Sequence, residues 1–270
     1  MEHIFKTFKP KTNLVKQYVD YYYLDLKPNN STTEFICFPH FNNTISIYRS
    51  HNRSENGEVI FNKKSNPLQI FTPIRKNVLK VKQSGPVYRI VVVFHPLGVQ
   101  QFYSNLNFSD YIFDFNFFTQ TEIASLFSTV SIEELTNHLD AFLFKRFEGF
   151  NHNILEQCIH HIFNSYKSFS VEEFSNTIEI SKRQLNRIFK THIGISVKTF
   201  QKIVLFRKTI NKKLFENPKD SFTKLAHEFH FNDQSHFNKT YKTLTTNSPK
   251  SFFSKGTTLG NEDTFWHINP

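Results

Sequence analysis

Two cysteines, seven glycines, one methionine and one tryptophan in 270 residues leave several classes of protein out. Cys37 and Cys158 lie far apart and without C-x-x-C spacing. That gives neither a zinc pattern nor a disulfide framework, and it suits a reducing cytosol. The few glycines do not cluster to cradle a phosphate, and no GxSxG, P-loop or GxGxxG occurs. His40, His51 and His95 stand alone, without HxH or HxxxH spacing. The neighbours His160 and His161 would point about 100° apart on a helix, which makes a poor chelate. These absences argue against an enzyme, a metal site and a bound cofactor. Apolar runs are short as well. The longest, Ile90 to Phe94, is strand length, whereas a membrane span needs roughly 18 apolar residues. The opening MEHIFKTFKPK has no apolar signal core. The expectation is a cytoplasmic protein with no membrane segment.

What the chain does have is phenylalanine and positive charge. Phe is the main apolar aromatic, at 33 copies. The net charge is +10 and it is unevenly placed. Residues 167–255 carry 17 Lys and Arg against 7 Asp and Glu, while the rest of the chain carries 16 of each sign. A basic field confined to one region favours a polyanion, and nucleic acid is the first candidate.

The front part reads as strand. Val19 to Leu26, Thr44 to Tyr48, Leu68 to Phe71, Asn77 to Val81 and Tyr88 to Phe94 are rich in β-branched and aromatic residues. Pro, Asn, Gly and Ser clusters at Lys27 to Thr32 and Ser50 to Gly57 separate them. After His95-Pro96-Leu97-Gly98 the period becomes helical, over Thr119 to Phe127 and Ile132 to Phe147. Ser131 and Glu134 are spaced as a capping box for the second of these helices. From 152 onward only helical periods occur: Ile154 to Tyr166, a helix capped by Ser170, a helix capped by Ser181, and a long helix from about Ser196 to Glu216. Asn217-Pro218 ends the long one, because the residue before proline avoids helical ψ. Two further helices follow, Asp220 to about Phe229 and Asp233 to about Thr243, and Pro249 opens a last short one. The expected architecture is multidomain α+β. A β-rich domain with closing helices covers 1–148, an all-α domain covers 152–255, and 256–270 forms a flexible tail.

The all-α part repeats itself. Val171, Phe174, Ser175, Ile178 and Ile180 return 51 residues later as Phe222, Leu225, Ala226, Phe229 and Phe231. Leu185, Phe189, Lys190 and Phe200 return after 52 as Phe237, Tyr241, Lys242 and Phe252. In each unit a small residue sits where a second helix must pass closely, and an apolar residue plugs the turn. The second helix then turns a polar face outward. In the first unit that face carries Lys182, Arg183, Asn186, Arg187 and Lys190. In the second it carries Gln234, Ser235, His236, Asn238, Lys239 and Lys242. Arg forks onto guanine O6/N7, and Asn or Gln pairs with adenine N6/N7. Base reading is therefore expected from Arg183, Asn186, Arg187, Gln234, Ser235, His236 and Lys239. Phosphate contact is expected from Lys182, Lys190, Asn238 and Lys242, which position the protein without specifying sequence. The first face is the better base reader, and the second is softer.

Residues 167–255 resemble the C-terminal DNA-binding domain of AraC/XylS-type bacterial transcription regulators. SVEEFSNTIEISKRQLNRIFKTHIGISVKTF matches that family's first helix-turn-helix, and SFTKLAHEFHFNDQSHFNKTYKTLTTNSPKSFF matches the second. The resemblance implies a joining helix that presents two recognition helices to successive major-groove segments of double-stranded DNA, roughly 34 Å apart. Arg207 falls at the joining-helix site where the family carries Arg. The chain departs from the pattern where glycine is usual: Glu179 and His230 stand in the two turns, and Thr246 follows the last recognition helix. Residues 11–148 resemble, more faintly, the N-terminal domains attached to such units. That implies a sensing or dimerising role, with a small-molecule effector, a homodimer and contact with RNA polymerase as expected partners. The functional expectation is a sequence-specific transcription regulator, most simply an activator. Two alternatives stand beside it: a non-specific nucleoid-type DNA binder, and an alkyl-transfer repair enzyme with an attached DNA-binding domain. The enzyme would need a reactive thiol, whereas Cys37 lies in the apolar run Phe35-Ile36-Cys37-Phe38 and reads as buried and inert.

Overall fold

In the computed structural model, residues 3–103 and 106–269 are described. The chain opens with β1 (Ile4–Phe8), α1 (Asn13–Tyr18) and β2 (Val19–Lys27). Then come β3 (Thr32–Cys37), β4 (Asn43–Tyr48), β5 (His51–Arg53), β6 (Val59–Phe61), β7 (Leu68–Thr72), β8 (Leu79–Ser84) and β9 (Val87–Phe94). After the short β10 (Ile112–Phe113), α2 (Gln120–Leu126) and α3 (Ile132–Lys145) complete the front domain.

Two six-stranded sheets form, in the orders β1-β2-β9-β4-β7-β10 and β11-β12-β3-β8-β6-β5. The β11 (Gly256–Thr258) and β12 (Phe265–Asn269) strands come from the far end of the chain. The first sheet is covered on both faces, and its sequence shows why. In β2, Tyr22 and Leu24 pack with Ile45, Ile47, Val92 and the helices α2 and α3. The alternate residues Tyr21 and Tyr23 pack with Val91, Val93, Phe35 and Trp266 between the sheets. A strand buried on both sides reads as a continuous apolar run, as VDYYYLDL and IVVVF do. Helix α3 is tied down by the buried Asp140, which accepts from the backbone N–H of Lys11 and Thr12 at 2.8 and 2.6 Å and from Tyr22 Oη at 2.8 Å.

Sequence and structure differ in three places here. Helix α1 and strands β1, β3, β5, β6 and β10 are not anticipated, since β5, β6 and β10 span only two or three residues and β3 opens on Thr-Thr-Glu, and β8 begins two residues later than expected. At the start of α3, Ser131 caps Glu134 N–H, but its own N–H goes to Thr129 Oγ1 at 3.0 Å. The reciprocal box forms instead at α2, between Thr119 and Glu122. Third, residues 256–258 and 265–269, expected in a flexible tail, are strands of the second sheet. Pairing of His267 and Ile268 with Ile36 and Phe35, and burial of Phe265 and Trp266, give this segment partners that no local sequence signal announces.

The helical part contains α4 (Asn153–Ser165), α5 (Val171–Thr177), α6 (Lys182–Ile193) and α7 (Val197–Asn211), the last continuing into a π-type turn to Glu216. It ends with α8 (Phe222–Glu228), α9 (Gln234–Thr245) and α10 (Pro249–Lys255). Each helix-turn-helix unit has its own core. Leu185, Phe189, Phe200 and Ile203 anchor the first, and Phe206, Leu225, Phe237, Tyr241 and Phe252 anchor the second. The front domain enters both cores: Ile74 and Leu97 join the first, and Phe38 joins the second with no exposed surface. Among the described residues no helix is long and apolar enough to cross a membrane.

Candidate nucleic-acid interface and ligand cavity

The two units are built on one hydrogen-bond frame. Ser170 and Ser221 cap α5 and α8, accepting from Glu173 and Lys224 N–H. At the end of α5, Ile180 N–H reaches back to Ser175 C=O at 3.1 Å and Glu179 N–H to Asn176 C=O at 3.2 Å. At the end of α8, Phe231 N–H reaches Ala226 C=O at 2.9 Å and His230 N–H reaches His227 C=O at 3.1 Å. These pairs of bonds require a left-handed residue in the turn. Glu179 at φ 55° and His230 at φ 57° take that role, where glycine would be free of steric cost. Ser181 and Asp233 then cap the second helices, α6 and α9. Thr246, at φ 63°, closes α9 as Gly194, at φ 81°, closes α6.

The frame turns most of the expected residues outward. On α6, Lys182, Arg183, Arg187 and Lys190 are exposed. On α9, Gln234, Ser235, His236, Asn238, Lys239 and Lys242 are exposed. Lys182 is held by Glu172 at 3.1 Å, and Gln234 accepts from Thr223 Oγ1 at 3.1 Å, which leaves the amide nitrogen of Gln234 outward. Asn186 is the exception among the expected base readers. It is half-buried, donates to Lys182 C=O at 3.0 Å and accepts from Val197 N–H at 3.3 Å. The amide nitrogen is engaged within α6 and the oxygen ties α6 to the start of α7, so the reading face of α6 reduces to its arginines and lysines.

Three cations join this surface that the recognition helices alone do not announce. Lys167, Lys198 and Lys202 line a groove of about 590 Å³ together with His236 and Lys239 of α9. Lys198 and Lys202 are spaced four apart on the joining helix, so the signal for them is present in the sequence as an i, i+4 pair. Arg207 on the same helix faces inward. It is buried, donating to Pro39 C=O at 2.6 Å, to Phe38 C=O at 3.1 Å and to Asp263 at 2.9 Å.

The front domain encloses a cavity of about 350 Å³ between its sheets. Its walls include the aromatic residues Tyr21, Tyr23, Phe35 and Trp266, and cations enter it as Arg53, Arg75, Lys80 and Arg89. Asp263 is the one acid in the lining, with 34% of its side chain accessible. Arg89 is already paired, to Asp25 at 2.7 Å. Burial opposes ionisation of Asp25, but Arg89, His3 and Lys27 hold its carboxyl below the usual range. Arg75 has only a long backbone bond, to Phe38 C=O at 3.4 Å. Cys37 also lines the cavity, but burial raises its thiol above the ordinary range. At the cavity edge His40 bonds Asp263 at 3.0 Å. Burial, reinforced by Arg207, lowers His40 to about 4, and although partial desolvation opposes it, Asp263 is held well below the usual carboxylate range by Arg207 and His40.

Two capped helix pairs on one joining helix, each with a basic outward face, define a DNA-binding transcription regulator of the helix-turn-helix class. Residues 174–255 match the model of the helix-turn-helix domain family, a model of the AraC type. Among solved structures, an apo form of a single-residue variant of ToxT from Vibrio cholerae is similar, at TM-score 0.51 and 10% identity over 92% of this chain and 99% of that one. Another ToxT structure from Vibrio cholerae gives TM-score 0.49 and 10% identity over 94% and 97%. At this identity the likeness to the first is one of fold: a β-rich front domain followed by the helical pair of units. No curated protein matches the chain.

Proposed function

We propose that the protein is a sequence-specific transcription activator whose two recognition helices enter successive major-groove segments on one face of DNA, under control of a small molecule held in the front domain. The observation that carries this reading is the repeated frame itself: two pairs of helices with the same caps and the same left-handed turn, each directing a basic helix face to solvent. Arg183 and Arg187 are assigned to base edges, with Gln234, Ser235, His236 and Lys239 as a second, more adaptable set. Lys182, Lys190, Asn238 and Lys242 are assigned to phosphates. Lys198 and Lys202 extend that track along the joining helix, since phosphate contacts fix register between the two reading heads. The cavity chemistry favours an apolar molecule with an anionic group, because aromatic walls surround more cations than acids. RNA polymerase contact and homodimerisation belong to the same reading.

Selection of bound sequences from a random DNA pool tests it. Two enriched motifs about 10 base pairs apart are expected, and an unenriched pool with steep salt dependence points to a non-specific binder instead. In that assay Arg183→Ala and Arg187→Ala each relax preference at particular positions, costing about 1–3 kcal/mol there, while Lys190→Ala weakens all sequences evenly. Equal, sequence-blind losses from all three overturn the assignment of reading roles.

A further inference from the structure

The segment after α10 does three things at once. It leaves the DNA-binding domain directly, at Gly256, where a Cβ would fall 1.7 Å from the Phe265 ring, so β11 and β12 fold back against each other immediately. It then enters the front domain as a strand, β12 pairing with β3 through His267 and Ile268. On the way it places Asp263, Thr264 and Trp266 in the wall of the cavity. Trp266 stacks on Phe35 at 4.8 Å, and its ring lies 5.8 Å from the Arg89 guanidinium. Three residues earlier Asp263 spans the domains, bonding His40 of the front domain at 3.0 Å and Arg207 of the joining helix at 2.9 Å. Lys9 holds the neighbouring Glu262 at 2.8 Å, and His267 bonds Phe252 C=O of α10 at 2.8 Å.

We propose that residues 256–269 are a clasp between the two domains, in which Trp266 and Thr264 belong to the ligand site and Asp263 latches the joining helix, so that filling the cavity is felt at α7. The physical reason is covalent and local. A molecule against Trp266 presses on a strand whose next turn holds the joining helix through one carboxylate. An anionic group in the cavity also lies against Asp263, the one acid in its lining, and repels that carboxylate. Arg207 lies between the two units on α7, so its restraint bears on how both recognition helices are held. A ligand shifts an equilibrium only through differential contact with its two states, and the Asp263–Arg207 pair is a contact that can differ. The inference rests on the ligand reading of the cavity given above.

The test uses the full chain and the apolar anion 1-anilinonaphthalene-8-sulfonate. Trp266 is the chain's single tryptophan, so energy transfer from it to the probe reports occupancy of this cavity. Hydrogen exchange is followed by mass spectrometry with and without probe, in wild type, Asp263→Asn and Asp263→Ala. The expected result is transfer from Trp266 in all three proteins. Exchange over 203–211 changes at least threefold on probe binding in wild type, and this change is lost in both variants. A probe effect confined to the front domain, or one equal in all three proteins, overturns the clasp. Absence of transfer at saturating probe removes the ligand reading of the cavity instead. The latch is then decided without probe: faster exchange over 203–211 and 265–269 in Asp263→Asn supports it, and unchanged exchange overturns it. Asp263→Asn keeps the side-chain shape, and its circular dichroism separates loss of the latch from loss of the fold.

Discussion

At single residues, the most telling positions are those where the backbone is held against a steric cost. Glu179, His230 and Thr246 hold φ near 60°, a conformation that costs an ordinary L-residue on the order of 1–2 kcal/mol. Glycine in each place relieves that cost but adds unfolded-state entropy, so a net gain of about 1 kcal/mol is expected. Of the two turn positions, Glu179→Gly gains more than His230→Gly, because His tolerates the left-handed region better than Glu. The check is thermal unfolding: a rise of roughly 2–4 °C for Glu179→Gly and less for His230→Gly. A fall in either melting temperature counts against the turn assignment. These positions were legible from the sequence as departures from a glycine pattern. The role of Asn186 was not, since its partner, Val197 N–H, sits on the next helix.

Buried histidines give a residue-level pH dependence. His40 and His51 are both lowered from 6.5 to about 4, by burial first. Their folded forms bind fewer protons than the unfolded chain does. Stability from this source is therefore complete above about pH 6.5 and is lost as pH falls from there toward 4. Each site contributes up to roughly 3 kcal/mol at the upper end. Urea midpoints should drop steeply over that window, and His51→Gln should flatten part of the slope. A wild-type midpoint that is level from pH 7 to 4.5 contradicts the burial argument. Among ionisable groups, Asp25 and Asp263 act in the same direction at lower pH.

At the scale of elements, what was readable depended on whether an element's reasons are local. The helices of the repeated units carry their own instructions: Ser or Asp caps, a 3.6-residue apolar period and a plugged turn. They form where those instructions place them, from α5 through α10. The two-sided apolar strands β2 and β9 were equally plain. Strand β3 was not, because its stability comes from partners distant in sequence, β8 and β12, and β5 and β6 span three residues each, too few to show a period. Strand β12 is the extreme case, with its partner β3 more than 200 residues away in the chain. The joining helix α7 shows both kinds of information. Its length and apolar face follow from spacing, while the inward turn of Arg207 is set by the carbonyls of Phe38 and Pro39 and by Asp263.

For the whole molecule, the domains share their interiors. Phe38 comes from the front domain yet lies fully buried against Phe252 at 4.7 Å and among the residues of the second unit. Phe38→Ala should cost about 3–5 kcal/mol and should loosen both domains together. The measurement is urea unfolding followed in parallel by helical circular dichroism and by Trp266 fluorescence. Coincident transitions that shift together are expected. Two separated transitions, with only one of them moved, contradict a shared core. The site was divided in the same way. The basic faces of α6 and α9 could be named from the chain, because a helix displays its period in sequence. The lysine groove along α7 and the cavity under Trp266 could not, because they exist only where separate elements meet.

The helix-turn-helix pair, its outward cations and the strained turns follow from the amino-acid order alone. Each of these depends on residues within one or two helical turns of each other, where spacing and capping chemistry decide the outcome. Tertiary pairing alone made strands of 256–258 and 265–269, engaged Asn186 against α7, turned Arg207 inward, and enclosed a cavity lined by cations and aromatic rings under Trp266. Those outcomes depend on pairings across the length of the chain, made favourable by the apolar surface that Phe38, Phe265 and Trp266 bury together, and no local pattern encodes them.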